Sequence, residues 1–460
     1  MSNHQIFLEL PPEKECLPQQ QRSNHVKNKL NPEDNPAHNW YRFVLSFPPH
    51  LVRDYLVKFD IGSSHRVLDP FCGTGTTIVE CKKLGIPSVG IEANAFAHFT
   101  GVVKTNWMID PATLTHVSNQ IAMDVLRELE GQGINDDPLF RDWQQQKRFR
   151  SSDLRMLEPD VSMLLLKNSV SPLPLHKVLV LRDHLRHHEN EPYYPHQMLA
   201  LAKALTSSIS NLHFGPEVGV GVLKDDAPVV TSWLDHVSRI ATDIHQLTHM
   251  KHIPASIHHA DSRYTFDFLD AQSIDAVITS PPYPNEKDYS RITRLESVLL
   301  GFIRSKADLQ ALKRNLICSN TRCVYKNDDN DIWVAPYPEI LRIAEEIETR
   351  RIELGKTSGF ERLYSRVTKL YFGGMVQHLT NMRVFLRHGA QLAYVVGEQA
   401  SYLRVLIRTG HLLANIAESL GYEVVNIDLF RTRLATATRA QLREEVVHLR
   451  WTGNRNSSKS

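Results

Sequence analysis

Arg66-Val-Leu-Asp-Pro-Phe-Cys-Gly-Thr-Gly-Thr-Thr77 reads as a short apolar strand, a tight glycine-bearing loop and the start of a helix. Residues 78–84 continue the helix, Gly85-Ile-Pro87 ends it, and Ser88-Val-Gly-Ile-Glu92 has the pattern of a second buried strand. This β-loop-α-β unit is the opening of an α/β, Rossmann-like doubly wound sheet. Gly73 and Gly75 permit the tight turn and a close approach of backbone to a ligand. The helix start beyond them, at Thr76, offers free N–H groups to a carboxylate or phosphate. The loop lacks the third glycine of the dinucleotide fingerprint and the Gly-Lys-Ser/Thr of a P-loop, which argues against NAD and ATP. Glu92, at the end of the second strand, is placed where an acid can grip two ribose hydroxyls.

Working outward, residues 1–37 are polar and lack helical periodicity, and they read as a mobile arm or surface strap. Residues 38–108 hold the glycine-loop unit, preceded by an extended Phe47-Pro48-Pro49 and a helical pattern carrying Leu51, Val52, Tyr55 and Leu56. Residues 109–254 form a mostly helical insertion, with amphipathic stretches near 111–131, 195–212 and 229–250. The sheet resumes in 255–300, with strands at 255–259 and 275–279. It breaks again for a second helical insertion over 301–370, and finishes in 371–451 with strands near 390–397, 423–428 and 446–451 and a helix across 410–420. Gly373-Gly374 and Gly397-Glu398 read as turns, and 452–460 as a polar tail.

A second chemical motif ends the 275–279 strand: Thr279-Ser-Pro-Pro-Tyr283. Pro281 and Pro282 donate no backbone hydrogen bond, so the turn aims carbonyl oxygens outward, and Tyr283 adds a flat aromatic face. Acceptors beside a stacking platform suit a planar, amino-bearing ring, with a nucleobase as the obvious candidate. A balance of 53 basic against 51 acidic residues gives a formal charge of +2, so any nucleic-acid surface is a local patch. That speaks against a histone-like binder and is neutral about an enzyme with one basic cleft.

The loop Asp69–Gly75, Glu92, Asp261 and Ser280-Pro-Pro-Tyr283 together resemble the motif set of the S-adenosylmethionine-dependent DNA amino-methyltransferases, which act on cytosine N4 or adenine N6. The resemblance covers roughly 38–108, 255–300 and 370–451 and implies the mixed sheet of a class I methyltransferase. It implies that Asp69, Phe71, Gly73, Gly75 and Thr76 hold S-adenosylmethionine, that Glu92 takes its ribose and Asp261 its adenine, and that the segment Trp40–Pro49, Phe47 in particular, completes the methionine pocket. It further implies that Ser280, Pro281, Pro282 and Tyr283 hold a base flipped out of double-stranded DNA. Ala260 departs from the glycine common before that Asp. The 109–254 block is also unusually long, and lies where some relatives place a target-recognition region. Ser at the first tetrad position resembles the cytosine-N4 branch; Asp is more usual for adenine N6. An RNA or tRNA base methyltransferase shares both motifs, but no RNA-binding domain is recognisable. A non-catalytic binding protein would have little reason to keep them intact.

Lys287, Tyr289, Arg291 and Arg294 follow the tetrad and are candidates for DNA contact, as are Lys147-Arg148-Phe-Arg150, Arg431, Arg433 and Arg439. The histidines of 170–260 lack a zinc-ligand pattern, so no metal is expected. Cys72 reads as a packed loop residue, since amino-group methylation needs no covalent enzyme intermediate. Five cysteines without a C-x-x-C pair, a polar N-terminus and no apolar span fit a cytoplasmic protein that does not enter a membrane. A cognate restriction or defence-system partner is left open.

Overall fold

The computed structural model describes residues 30–43, 46–137, 153–214, 217–285, 287–434 and 441–453. The first strands are β1 (Val67–Asp69) and β2 (Ser88–Glu92), then a small antiparallel hairpin of β3 (Leu212–Phe214) and β4 (Val218–Val220). After it come β5 (Ala255–His259), β6 (Ile274–Thr279), β7 (Leu386–Gly397), β8 (Tyr422–Leu434) and β9 (Gln441–Trp451). Seven of these form one sheet in the order β5-β2-β1-β6-β7-β9-β8, with β9 antiparallel to both its neighbours and the remaining pairs parallel. The strands at its centre are near-continuous apolar runs because helices cover both faces.

Side-chain alternation divides the two faces. Leu68, Val277 and Leu392 join a core with helices Pro338–Glu353, Tyr364–Met382 and Thr409–Ser419. Their neighbours Val67, Ala276, Ile278, Ala393 and Val395 join Leu51, Val52, Tyr55 and Leu56 of helix Pro49–Lys58. The first insertion extends the core beside helix Ala95–Thr105: Phe96, Trp107, Leu114, Leu179, Leu199 and Trp233 belong to a single cluster that also takes in Leu295 and Leu299. Helix Val229–Leu247 supplies Val229, Val230, Trp233, Val237, Ile240, Ile244 and Leu247 to that cluster at helical spacing, the pattern of a one-sided buried helix.

The chain runs from β1 outward through β2 to β5, then returns to place β6 on the other flank of β1. The strand order therefore reverses between β1 and β6, and the crevice beyond their carboxyl ends is where open α/β sheets bind ligands. Both chemical motifs begin at these two strand ends, the glycine loop after Asp69 and the tetrad after Thr279.

Strands β2 and β5 keep the bounds expected from sequence, whereas β8 and β9 start earlier or run longer as one hairpin. The β3–β4 hairpin was not expected within a helical insertion. The end of the polar N-terminal stretch is pinned down, not mobile: Asp34, Ala37 and His38 are buried, Arg53 bonds Asp34 at 2.7 Å, and His38 bonds Glu80 at 2.7 Å. Residues 1–29, the Lys147–Arg150 cluster, Arg439 and the tail from 454 lie outside the described residues. Among the described residues no helix is long and apolar enough to cross a membrane. Cys72, Cys81, Cys318 and Cys323 are buried thiols.

The reading of Gly373-Gly374 as a turn is corrected, since both lie inside helix Tyr364–Met382, which also crosses the 370/371 division. Gly373 is there for clearance. The carbonyl oxygen of Asn330 sits 1.8 Å from where a Cβ would be. Gly373→Ala is expected to destabilise the fold by about 3 kcal/mol or more through overpacking against backbone, read as a lowered denaturation midpoint.

Candidate active site

A cavity of about 310 Å³ opens at the carboxyl ends of β1 and β6. Phe71, Gly73, Thr76 and Glu92 line it from the first motif, Asp261 from the loop after β5, and Phe47 from the segment upstream. Ser280, Pro281, Pro282 and Tyr283 line it from the tetrad, followed by Lys287 and Tyr289. Four expected residues are not on the wall. Asp69 lies fully buried behind it, Gly75 shapes the loop from beneath, and Arg291 and Arg294 stand away from it. Arg294 spends its guanidinium inside the chain, on the Ser290 carbonyl at 3.1 Å, the Ser290 hydroxyl at 2.9 Å and the Leu164 carbonyl at 3.3 Å.

Gly73 and Gly75 both adopt left-handed φ, 52° and 84°, and a Cβ on Gly75 would press on the Gly101 backbone at 3.3 Å. The turn delivers the chain into helix Thr76–Lys83, whose first N–H groups face the cavity side at Thr76. Glu92 ties the loop to the second strand: it accepts from Gly73 N and from Asn94 N, each at 2.8 Å. Burial pushes the Glu92 carboxyl up to about 7, against the pull of those two N–H groups, and nearby Asp69 adds to the rise. Thr74 Oγ1, buried on the cavity wall, has no partner among the described residues. Asp261 is clamped by Arg263, which approaches both carboxylate oxygens at 2.5 to 3.0 Å and also donates to Arg314 O at 2.8 Å.

Asp69 acts from behind. It accepts from Thr279 Oγ1 at 2.6 Å and from Phe71 N at 3.1 Å, so the last residues of β1 and β6 are locked together just before each motif begins. Burial raises its carboxyl to about 6 although these hydrogen bonds oppose the shift, and its Oδ2 is left without a partner.

In the tetrad, Ser280 Oγ donates to Val395 O at 3.1 Å. Tyr283 N donates to the Tyr289 hydroxyl at 3.3 Å, and Asn285 N to Tyr283 O at 2.8 Å. A Cβ on Gly397 would meet the Tyr283 ring at 3.1 Å and Glu444 Cγ at 3.4 Å, so Gly397 at the end of β7 makes room for the ring. Burial and then the charge of Glu444 push the Tyr283 phenol up, keeping it neutral.

Sequence reasoning took Asn285 only as the start of the stretch after the tetrad, did not single out Phe43, Ser46, Asn94, Phe430 and Glu444, and left Arg431 and Arg433 as loose surface candidates. The last four sit on the long β8–β9 hairpin, where Arg431 binds Glu444 at 2.5 Å and Arg433 donates to Glu398 O at 2.7 Å. The signal for the arginines was their i, i+2 spacing, which puts both on one face of a strand. Phe43 and Ser46 lie in the segment already read as completing the pocket. Cys72 also lines the cavity, but burial holds its thiol well above the usual range, which does not suit a nucleophile. Among the described residues no group of three or more His, Cys, Asp or Glu is placed to hold a metal ion.

The sheet order, with a lone antiparallel strand near one edge and a glycine loop after the central strand, defines a class I methyltransferase fold. A sequence model of the DNA methylase family matches residues 13–99. The chain is 23% identical over 436 residues to the type II methyltransferase M.BsoBI of Geobacillus stearothermophilus, covering 87% of this chain and 81% of that protein. It is 22% identical over 434 residues to the type II methyltransferase M.AvaI of Nostoc sp., covering 86% and 81%. Over 91 residues, 20% of this chain and 15% of the other, it is 32% identical to the type II methyltransferase M.MjaII of Methanocaldococcus jannaschii. These matches support a DNA methyltransferase of the cytosine-N4 or adenine-N6 kind.

Asp69 carries a measurable consequence. Its folded pKa of about 6 exceeds its ordinary 3.8, so the native state binds the proton more tightly and loses stability as pH rises between those values. Asp69→Asn removes the buried charge. Unfolding followed by denaturant is expected to show the variant's stability relative to the wild type rising between pH 4 and 6, by about 1–3 kcal/mol in all, then levelling off.

Proposed function

We propose that this enzyme is a site-specific DNA methyltransferase that moves a methyl group from S-adenosylmethionine to the N4 amino group of a cytosine flipped out of the duplex. The observation that carries the reading is that the glycine loop with Glu92 and the Ser280–Tyr283 tetrad line one cavity across the β1/β6 reversal. Serine at the first tetrad position supports cytosine over adenine.

The residues fit the methyl donor. The orphaned Thr74 hydroxyl and the free N–H groups at the start of helix Thr76–Lys83 suit its carboxylate. Glu92 keeps lone pairs for ribose hydroxyls beyond the two N–H groups it already accepts. Phe71, its ring held edge-on by His378 at 4.8 Å between centroids, and Asp261 are assigned to the adenine. When bound, S-adenosylmethionine supplies an electrophilic methyl on a sulfonium.

The tetrad is an acceptor surface. Pro281, Pro282 and Pro284 have no N–H, and the Tyr283 N–H is spent on Tyr289. The Ser280 proton is parked on the Val395 carbonyl, so the hydroxyl oxygen can accept. Ser280 Oγ and the Pro281 carbonyl then accept the two protons of the target amino group. That draws the nitrogen toward tetrahedral geometry and localises its lone pair for in-line attack. The proton shed on methylation leaves along the same acceptors, while Tyr283 stacks on the base. Because its relatives are named type II methyltransferases, we place the chain as the modification half of a restriction pair.

Incubating the purified protein with labelled S-adenosylmethionine and duplex DNA, RNA or tRNA, followed by nucleoside mass spectrometry, is expected to give N4-methylcytosine in DNA. Absence of label in all three, with donor still bound, overturns the reading. Tyr283→Ala is expected to lower kcat/KM by about 10- to 100-fold, what base stacking is worth, with donor affinity unchanged. Ser280→Ala is expected to cost roughly 100-fold in kcat. Gly73→Val, strained at positive φ, is expected to lose donor binding.

Glu92 gives that binding a pH dependence. Ribose hydroxyls donate to the ionised carboxylate, so binding releases a proton wherever the free protein still holds one. Donor affinity measured by calorimetry is expected to rise as pH increases toward about 7 and to level off above it. Glu92→Gln is expected to bind more weakly at high pH and to flatten the profile.

A further inference from the structure

The loop following the tetrad holds two donors that nothing else in the fold uses. Asn285 is 5% exposed and lines the cavity. Its Oδ1 accepts from Lys287 N at 3.1 Å, which fixes the amide with its oxygen toward the chain. Its Nδ2 has no partner among the described residues. Lys287 also lines the cavity and is half-buried, and its ammonium makes no hydrogen bond or ion pair among the described residues. The nearby carboxylate Glu444 is already held by Arg431 and Arg433. Both groups therefore present uncommitted donors to something that enters the cavity.

We propose that Asn285 Nδ2 and Lys287 Nζ read the N3 and O2 atoms of the target cytosine, and so set the choice of cytosine over adenine. The inference rests on the reading of this cavity as the target-base pocket. Ser280 Oγ and the Pro281 carbonyl accept, Asn285 donates and Lys287 donates. Acceptors together with two donors are the set that guanine presents on its pairing edge, and its complement is cytosine: an N4 amino donor with the N3 and O2 acceptors. Adenine offers its amino group and the N1 acceptor, but a C–H where cytosine has O2. Bound adenine leaves the Lys287 ammonium desolvated and unpaired, the kind of mismatch that a hydrogen-bonding pocket rejects strongly. Arg431 Nε is held by Glu444 and Arg433 Nη2 by the Glu398 carbonyl.

The test begins by mapping the methylated site in DNA from cells expressing the chain. Oligonucleotide duplexes then carry that site with either cytosine or 3-deazacytosine, which lacks the N3 acceptor, at the target position. The wild type is expected to lose about 10- to 100-fold in kcat/KM on the analogue beyond the loss shown by Asn285→Ala, the coupling that identifies a direct contact. Lys287→Met is expected to lower kcat about 100-fold on cytosine with the salt dependence of DNA binding unchanged. A salt slope reduced by about one would mark Lys287 as a phosphate contact and overturn its O2 assignment. Equal sensitivity of wild type and Asn285→Ala to the analogue overturns the N3 assignment while leaving the methyltransferase reading intact. N6-methyladenine as the wild-type product, or no methylated DNA at all, overturns the cytosine reading itself. Donor affinity of both variants within about twofold of wild type serves as the folding control.

Discussion

A carboxylate sealed from water holds the two halves of this enzyme in register. Asp69 is the last residue of β1, Thr279 the last of β6, and the 2.6 Å hydrogen bond between them joins positions 210 residues apart in sequence. The glycine loop leaves one strand end and the tetrad leaves the other, so on the proposed function this pairing sets the distance between methyl donor and target amino group. In-line attack tolerates little error in that distance, since a displacement of about 1 Å costs orders of magnitude in rate. A neutral hydrogen bond would join the strands too. A buried carboxylate does more, because it also accepts from Phe71 N and so fixes the first residue of the donor wall.

That arrangement opposes stability, as functional sites often do. Asp69 and Glu92 are both raised by burial, and the charge of Asp69 raises Glu92 further. Glu92 recovers part of the cost through two N–H groups. Asp69 leaves one oxygen without a partner. A third buried acid, Glu296, accepts from the Tyr41 hydroxyl and links the segment upstream of the glycine loop to the helix after the tetrad. Unfavourable charges therefore sit in three places where distant pieces of chain must meet around one cavity, and the surrounding apolar packing of both sheet faces has to outweigh them.

The centre of the sheet and the chemistry after β1 and β6 were legible in sequence because each is written locally. A continuous apolar run marks a strand covered on both faces, and glycines or prolines punctuate its end. The β8–β9 wall was not legible. Phe430, Arg431, Arg433 and Glu444 reach the cavity only because β9 inserts antiparallel between β7 and β8, and no local pattern announces an insertion of that kind. Gly373 failed for the opposite reason. Two adjacent glycines look like a turn, yet helix Tyr364–Met382 accepts them because the Asn330 backbone needs the space. Asp69 was recognised as belonging to the site but is displaced from its wall, since a strand's last inward residue points beneath the loop that follows it.

The near-neutral charge of the chain also takes on a local meaning. Among the described residues at the Tyr283 end of the cavity stand Lys287, Arg431, Arg433 and Glu444. Arg431 and Arg433 brace the hairpin through Glu444 and the Glu398 carbonyl, and the Lys287 ammonium makes no hydrogen bond or ion pair among the described residues. A pocket lined by proline carbonyls and a serine lone pair would repel the acceptor atoms of a base, while a wholly basic pocket would repel its amino protons. Placing acceptors on the tetrad and donors two to four residues beyond it resolves both demands within one short loop. On the proposed reading, the loop that activates the amino group is also the one that decides which ring carries it.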